Sequence, residues 1–466
     1  MTSQLPMDAF PTWAHLNDLC LTHVKLQDVG EGKGLGLIAD SILEADAAGN
    51  GILKIPHDLV LSGEAVEDFA KVDQNFKRLL EAAGRQSTRG DIMLYLVSHY
   101  AQAGHLKGMS PTPWTEYIRF LPRPVSVPTM WTEQERMLLK GTSLETALEA
   151  KRLSLGKEFD TLREKSEVLP FWNEFLWGSG GVCLDDWVLA DAWYRSRCLE
   201  LPRSGTAMVP GLDMVNHSAE ASTYYDEDNN DNVVLHIRPA CQVLGGDEVT
   251  ISYGDAKPAS EMLFSYGFID PNNIVDKLTL RLDPFADDPL ARAKLRIFKG
   301  APALTISRGD AQEEQGPTPI EWHSPFVYLM CLNEEDGLAF QLLQDTAGDR
   351  QLRLFWQGED KTDQADEFES LIQSHELCQV FQLRAVTVLH EKIEEQLARI
   401  SRGPADEQLE PLQEAGLMRA ECISTARMLK KMERRLLVNA LEALDDEVSF
   451  MFWLVRVSWM QSTFCQ

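Results

Sequence analysis

The sequence predicts an α+β protein in which two β-rich stretches are held apart by a helical insert and followed by a mostly α-helical region. Short apolar runs punctuated by glycine fill 22–60 and 207–270, as strands and tight turns require. Apolar residues recur at steps of three and four through most of the remainder. The 466 residues leave room for two or three domains, and 44% hydrophobic with 25% charged residues is an ordinary globular composition.

Taken in order, Val24 to Leu26, Leu35 to Ala39 and Ile52 to Ile55 fit strands, with Gly30, Gly32, Gly34 and Gly36 between or inside them. From about 62 to 200 the pattern is helical. Phe76 to Leu80, Ile92 to Tyr100 and Asp185 to Cys198 suit helices, and Thr132 with Glu135 reads as a capped helix start. Strand signals return at Thr223 to Tyr225, Val233 to Ile237 and Glu248 to Tyr253, with Gly245-Gly246-Asp247 as a turn. Beyond about 285 the chain reads as mostly helical. One face comprises Leu383, Val386, His390, Ile393, Leu397 and Ile400, a second Ile423, Ala426, Leu429, Met432, Leu436 and Ala440. Gly309 to Pro319 reads as an exposed loop. One sheet built from the two sequence-distant β-rich pieces is the economical architecture.

The net charge of −28 and pI near 4.7 disfavour nucleic acid and anionic membranes and favour basic partners, though acidity also serves solubility alone. Met1 to Thr12 reads neither as a secretory signal nor as a transit peptide. The apolar stretch Met451 to Met460 is short, carries Arg456 and is expected to be a core element, so no membrane span is expected. Eight cysteines at 20, 183, 198, 241, 331, 378, 422 and 465 contain no C-x-x-C pair and read as reduced thiols. His390-Glu391 opens like H-E-x-x-H, but Glu394 occupies the second histidine's place, so no metal is expected.

Three segments carry candidate chemistry. Gly30 to Leu37, G-E-G-K-G-L-G-L, can wrap a small ligand or form a plain hairpin turn; it fits neither G-x-G-x-x-G nor the P-loop. Leu212 to Ser218, L-D-M-V-N-H-S, could be a capped turn. Glu248 to Gly254, E-V-T-I-S-Y-G, followed by Tyr266-Gly267-Phe268, could simply supply core tyrosines. In this order, with Ser196-Arg197 before the second, the set resembles the SET domain with a helical insert. Trp114-x-x-Tyr117-x-x-x-Leu121-Pro122, then Trp131, Glu135 and Leu139 to Thr142, resemble the insert of the branch that contains Rubisco large-subunit methyltransferase and the yeast ribosomal-protein lysine methyltransferases.

The resemblance covers roughly residues 20 to 270. It implies a pseudoknotted SET core at 20–275 and a helical substrate-binding domain at 285–466. It also implies S-adenosylmethionine as cofactor and methyl transfer to a lysine of a non-histone protein, a ribosomal protein or translation factor. Lys33, Gly34, Leu35, Arg197, Asp213, Asn216 and His217 would bind the cofactor. Arg197 suits its carboxylate because a guanidinium can pair both oxygens. Tyr253 would be the catalytic tyrosine, and Leu199, Leu212 and Tyr266 would line the substrate pocket. Pro258-Ala259-Ser260-Glu261 stands where the family has S-N-A-E, so the family's asparagine is absent. The histidine-modifying relatives place asparagine and tryptophan where this chain has Cys198-Leu199 and Leu212, which favours lysine, since a buried imidazole wants a polar partner. An inactive SET-fold scaffold is the other alternative. A basic protein partner, no nucleic acid, no membrane, a monomer and a cytoplasmic or nuclear location complete the expectations.

Overall fold

The computed structural model describes residues 4–30, 33–45, 51–102, 108–178, 181–254, 257–272, 275–308, 320–344, 350–402 and 411–464, with backbone alone for 450–464. Glu31, Gly32 and the loop 309–319 lie outside the described residues, as do the side chains of 451–460. Among the described residues, no helix is long and apolar enough to cross a membrane, and no cluster of His, Cys, Asp or Glu could hold a metal ion. The chain divides into two compact units. One is 1–132, 146–257 and 261–273; the other is 133–145, 258–260 and 274–466.

In the first unit the expected single sheet is replaced by small ones: three each pair a strand from the N-terminal stretch with one from beyond the insert, and a fourth is the hairpin Cys198–Leu201 with Gly205–Met208. Val24–Asp28 and Glu248–Val249 flank Leu35–Ala39. In that sheet Leu26 faces Leu37, which in turn faces Val249. Leu43–Glu44 pairs with Gln242–Val243. The third sheet runs Cys20–Leu21, Leu53–Ile55, Val233–Ile237 and Thr223–Glu227, with Leu53 opposite Leu235. Residues 36–39 are buried in succession, as in a central strand covered on both faces. The edge strand Val24–Asp28 keeps Lys25, Gln27 and Asp28 in contact with water. The expected strand Glu248 to Tyr253 is paired only at Glu248–Val249 and through single bridges beyond. Its backbone leaves the sheet to meet the segment at 216–218.

The insert is helical at Gly63–Val72, Gln74–Ala83, Thr88–Gln102, Leu144–Ser166, Pro170–Trp177 and Leu184–Arg197. Ser62 and Asp73 cap the first two through backbone N–H groups at Ala65 and at Asn75 and Phe76. A buried carboxylate, Asp191, gathers Arg89, Lys151 and Arg195 at 2.6 to 2.8 Å and so ties three insert helices together. The insert's tryptophan and tyrosine reach the short helical turns His57–Leu59 and Leu212–Met214: the Trp114 indole donates to the Leu59 carbonyl at 3.0 Å, and Tyr117 reaches Asp213.

The second unit is less helical than the sequence suggests. Lys277–Arg281, Ala303–Arg308 and Ile320–His323 form one antiparallel sheet; Leu338–Gln344, Arg350–Trp356 and Glu359–Asp360 form another. Leu278 and Leu280 alternate with exposed neighbours, a period-two signal just ahead of the stretch read as helical, where the sequence reading assigned no element. The long helices are Cys378–Ser401 and Ala420–Phe464. The buried face of the first is Phe381, Ala385, Val386, Leu389, Ile393, Gln396 and Ile400, with Leu383, His390 and Leu397 at its margin. The second buries Glu433 where Met432 was expected.

Glu135, read as part of a helix cap, is buried and accepts two hydrogen bonds at 2.9 Å from the Arg419 guanidinium. Glu433 accepts from the Ser143 hydroxyl at 2.5 Å and its amide at 3.0 Å, and burial pushes its carboxyl up to about 7. A carboxyl raised on folding contributes stability below its unfolded pKa, and that contribution is lost as pH rises through 7. Glu433→Gln is therefore expected to gain about 2–3 kcal/mol relative to wild type between pH 5 and pH 8. Urea midpoints of the full chain at the two pH values check this; a constant difference would show that Glu433 does not titrate in that window.

Candidate active site

The segment Leu212 to Ser218 is the hinge of the site. A short helical turn, Leu212–Met214, follows Gly211, whose φ of +83° suits glycine. It places Asp213 in the interior. One Asp213 oxygen accepts from the Tyr117 hydroxyl at 2.5 Å and from the Gly211 amide at 3.1 Å; the other lies 3.3 Å from Arg197 Nη1. Burial pushes the Asp213 carboxyl up, and Arg197 and the hydrogen bonds oppose that. Burial likewise holds the Tyr117 hydroxyl well above its ordinary range. Arg197 Nη1 also donates to the Asp213 carbonyl at 2.8 Å.

Beyond Asp213 the chain runs beside the segment that follows Glu248–Val249. His217 bridges Ile251 in parallel, and the amides of Ile251 and Ser218 bond the carbonyls of Asn216 and Ile251. The Asn216 amide donates to the Leu35 carbonyl at 3.0 Å and to Glu248 Oε1 at 2.7 Å. It thereby fastens the glycine-rich hairpin to the site. Gly36 makes that approach possible, because a Cβ there would lie 2.6 Å from Glu248 Oε1 and 2.9 Å from Asn216 Nδ2. His217 Nδ1 accepts from the Tyr253 amide at 3.1 Å, which leaves the ring proton on Nε2, 3.9 Å from Asp270.

The Tyr253 hydroxyl donates to the Val215 carbonyl at 2.8 Å. The Tyr266 ring centre is 4.7 Å from that of Tyr253, and burial raises both phenols. The two tyrosines share a cavity of about 620 Å³ with Arg197, Leu199, Leu212 and Asp213. Six sequence-selected residues thus meet around one space. Lys33, Gly34, Leu35, Asn216 and His217 do not line it. Leu35, Asn216 and His217 join it through the bonds above, and Lys33 lies 3.8 Å from Glu248. At Gly34, with φ of +75°, an added Cβ would meet nothing within 4 Å.

The sequence reading missed residues with no motif of their own. Lys257 lines the cavity, pairs with Glu261 at 2.8 Å and sits 5.8 Å from the Tyr266 ring centre. Glu200, Thr206, Tyr225 and Arg238 line it too. Arg195 bonds Asp191 at 2.8 Å, Thr129 at 2.7 Å and the Phe264 carbonyl, and so braces the helix that carries Tyr266. Ser196-Arg197 in the sequence pointed to its neighbour alone.

No protein-family model matches the chain. In sequence it is 27% identical over 321 residues to SET domain-containing protein 8 of Schizosaccharomyces pombe, across 67% of this chain and 68% of that one. It is 24% identical over 357 residues to the chloroplastic ribulose-1,5 bisphosphate carboxylase/oxygenase large subunit N-methyltransferase of Nicotiana tabacum, across 72% of this chain and 65% of the relative. In three dimensions it superposes on the SET domain of LSMT bound to lysine and AdoHcy with a TM-score of 0.67, at 20% identity, covering 96% of this chain and 92% of that one. The chain has the SET fold. Within that fold it resembles the lysine methyltransferase class that includes the Rubisco large-subunit enzymes.

Proposed function

We propose that this protein transfers a methyl group from S-adenosylmethionine to a lysine side chain of a non-histone protein, with ribosomal proteins and translation factors as the favoured class. One observation carries the reading. Tyr253 and Tyr266 line the same cavity as Arg197, whose Nε is buried and has no hydrogen-bond partner among the described residues. A buried guanidinium N–H calls for an acceptor, and the cofactor's carboxylate supplies one. Gly34, Leu35 and Asn216 would hold its other end.

S-adenosylmethionine, when bound, supplies an electrophilic methyl group on a sulfonium. The chain's own residues prepare the amine. At pH 7, neutralising a free lysine costs about 4.6 kcal/mol. Apolar walls from Leu199 and Leu212 disfavour the ammonium, and the nearby Lys257 adds a like charge; both lower the substrate's pKa. The amine's proton leaves through water. Tyr253, fixed by Val215 and by the His217 bond to its amide, orients the amine. Alignment of this kind contributes about 7–11 kcal/mol in favourable cases. Leu199 and Leu212 offer an imidazole no hydrogen bond, which favours lysine over histidine. The free thiols among the described residues suit a reducing cytoplasm or nucleus.

The test is incubation with labelled cofactor and extract from a strain lacking the gene, followed by mass spectrometry of the labelled band. Cofactor-dependent thermal stabilisation without any labelling would favour the scaffold alternative. Asn216→Ala is expected to raise the cofactor Kd about tenfold, because it unfastens Leu35 and Glu248, while lowering the melting temperature only slightly. Calorimetry showing unchanged affinity with a large loss of stability would make Asn216 a packing residue.

A further inference from the structure

We infer that Glu200 forms a subsite for a cationic side chain of the protein substrate, next to the place of the target lysine. The inference rests on the methyltransferase reading and adds a substrate preference to it. Glu200 sits on the hairpin Cys198–Leu201 with Gly205–Met208, directly opposite Thr206, and lines the same cavity as Tyr253 and Tyr266. The Thr206 hydroxyl donates to its Oε2 at 2.7 Å, which fixes the carboxylate and leaves Oε1 to accept from another group.

Its neighbours on this side are already neutralised. Glu227 is held by Ser204 and Arg203, and Asp228 by Lys54 at 2.8 Å. Among the described residues no ion pair engages Glu200. The second carboxylate lining the cavity, Asp213, is committed to Tyr117, Gly211 and Arg197. Glu200 is therefore the negative group that the cavity offers to a ligand. Its charge reaches the lysine pocket: the Tyr225 phenol is raised by burial first, then by the nearby Tyr266 and Glu200. An ionised carboxylate only accepts hydrogen bonds, so arginine or lysine next to the target satisfies it, and a glutamate there is repelled.

The experiment uses the full chain, tritiated S-adenosylmethionine and peptides that carry one lysine and differ only in having Arg, Gln or Glu at single flanking positions. Wild type is expected to favour Arg over Gln by roughly 3- to 10-fold in kcat/KM at one flanking position, with the preference fading at high salt. E200Q is expected to bring the ratio within twofold, and E200K to turn the preference toward Glu. A change of preference is a readout that mere packing would not move. If only intact protein is labelled, the same comparison is made by replacing basic residues around the mapped lysine. Labelling with a ratio unchanged in E200Q and E200K overturns the subsite and leaves the methyltransferase reading standing. No labelling of peptide or extract by wild type overturns that reading, and the subsite with it.

Discussion

Tyr253→Phe is expected to fold, to bind S-adenosylmethionine with wild-type affinity and to lose methyl transfer by about 10²- to 10³-fold, the cost of removing one positioned polar group at a reacting centre. The Tyr253 hydroxyl lies 2.8 Å from the Val215 carbonyl in a buried site, and the backbone that carries it is pinned by His217. The ring's packing against Tyr266 and His217 does not need the hydroxyl. The variant therefore removes orientation of the amine and little else. A single-turnover assay separates this from slow product release. Equal rates in the two proteins would take Tyr253 out of the chemistry.

Arg197→Met is expected to weaken cofactor binding by roughly 30-fold or more and to destabilise the fold by about 3–5 kcal/mol, for two separable reasons. The affinity loss comes from the unpartnered Nε proposed to meet the cofactor's carboxylate. The stability loss comes from Asp213, a buried carboxylate stripped of its cation. Burial already raises that carboxyl, and losing Arg197 raises it further, so the penalty grows as pH rises through the new pKa. Adding Asp213→Asn removes the stranded charge and is expected to restore most of the stability and none of the affinity. Denaturant melts and calorimetric titration of both variants check this. Recovered affinity in the double variant would place Arg197 in packing alone.

The sequence showed more of the site than of the scaffold. Tyr253, Tyr266, Arg197 and Asp213 sit in short motifs whose order alone brought them together, and the structure puts them around one cavity. Tyr117 appeared only as part of an insert signature. Its bond to Asp213 spans 96 positions, and no local pattern encodes it. Lys257, Glu200 and Arg195 were invisible because a lone charged residue on a helix or hairpin reads as solvated surface. In the second unit, Leu278 and Leu280 did alternate. Two residues of alternation are too short a signal to define an element, and the partners that make a strand, Leu304 and Ile306, lie more than twenty residues on. Met432 was assigned to the buried face by spacing. The structure buries Glu433 instead, because Ser143 supplies hydrogen bonds to a carboxylate that hydropathy alone would place outside.

The three small sheets impose an order on synthesis. Leu53–Ile55 pairs with 233–235, and Leu37 and Ile38 pair with 248–249, so the earliest strands leave the ribosome with central partners still untranslated. At 5–20 residues per second the interval is roughly 10–40 s. Through it, the apolar run at 35–39 is a nascent strand with an open edge, of the kind that invites chaperones or mispairing. The intervening helices pack on one another, with Asp191 joining three of them, and can collapse within that wait. Their folding draws residues 62 and 198 toward each other while the second set of strands is still being made. The insert thereby shortens the loop the sheets must close, and the entropy of closure is met before the strands pair.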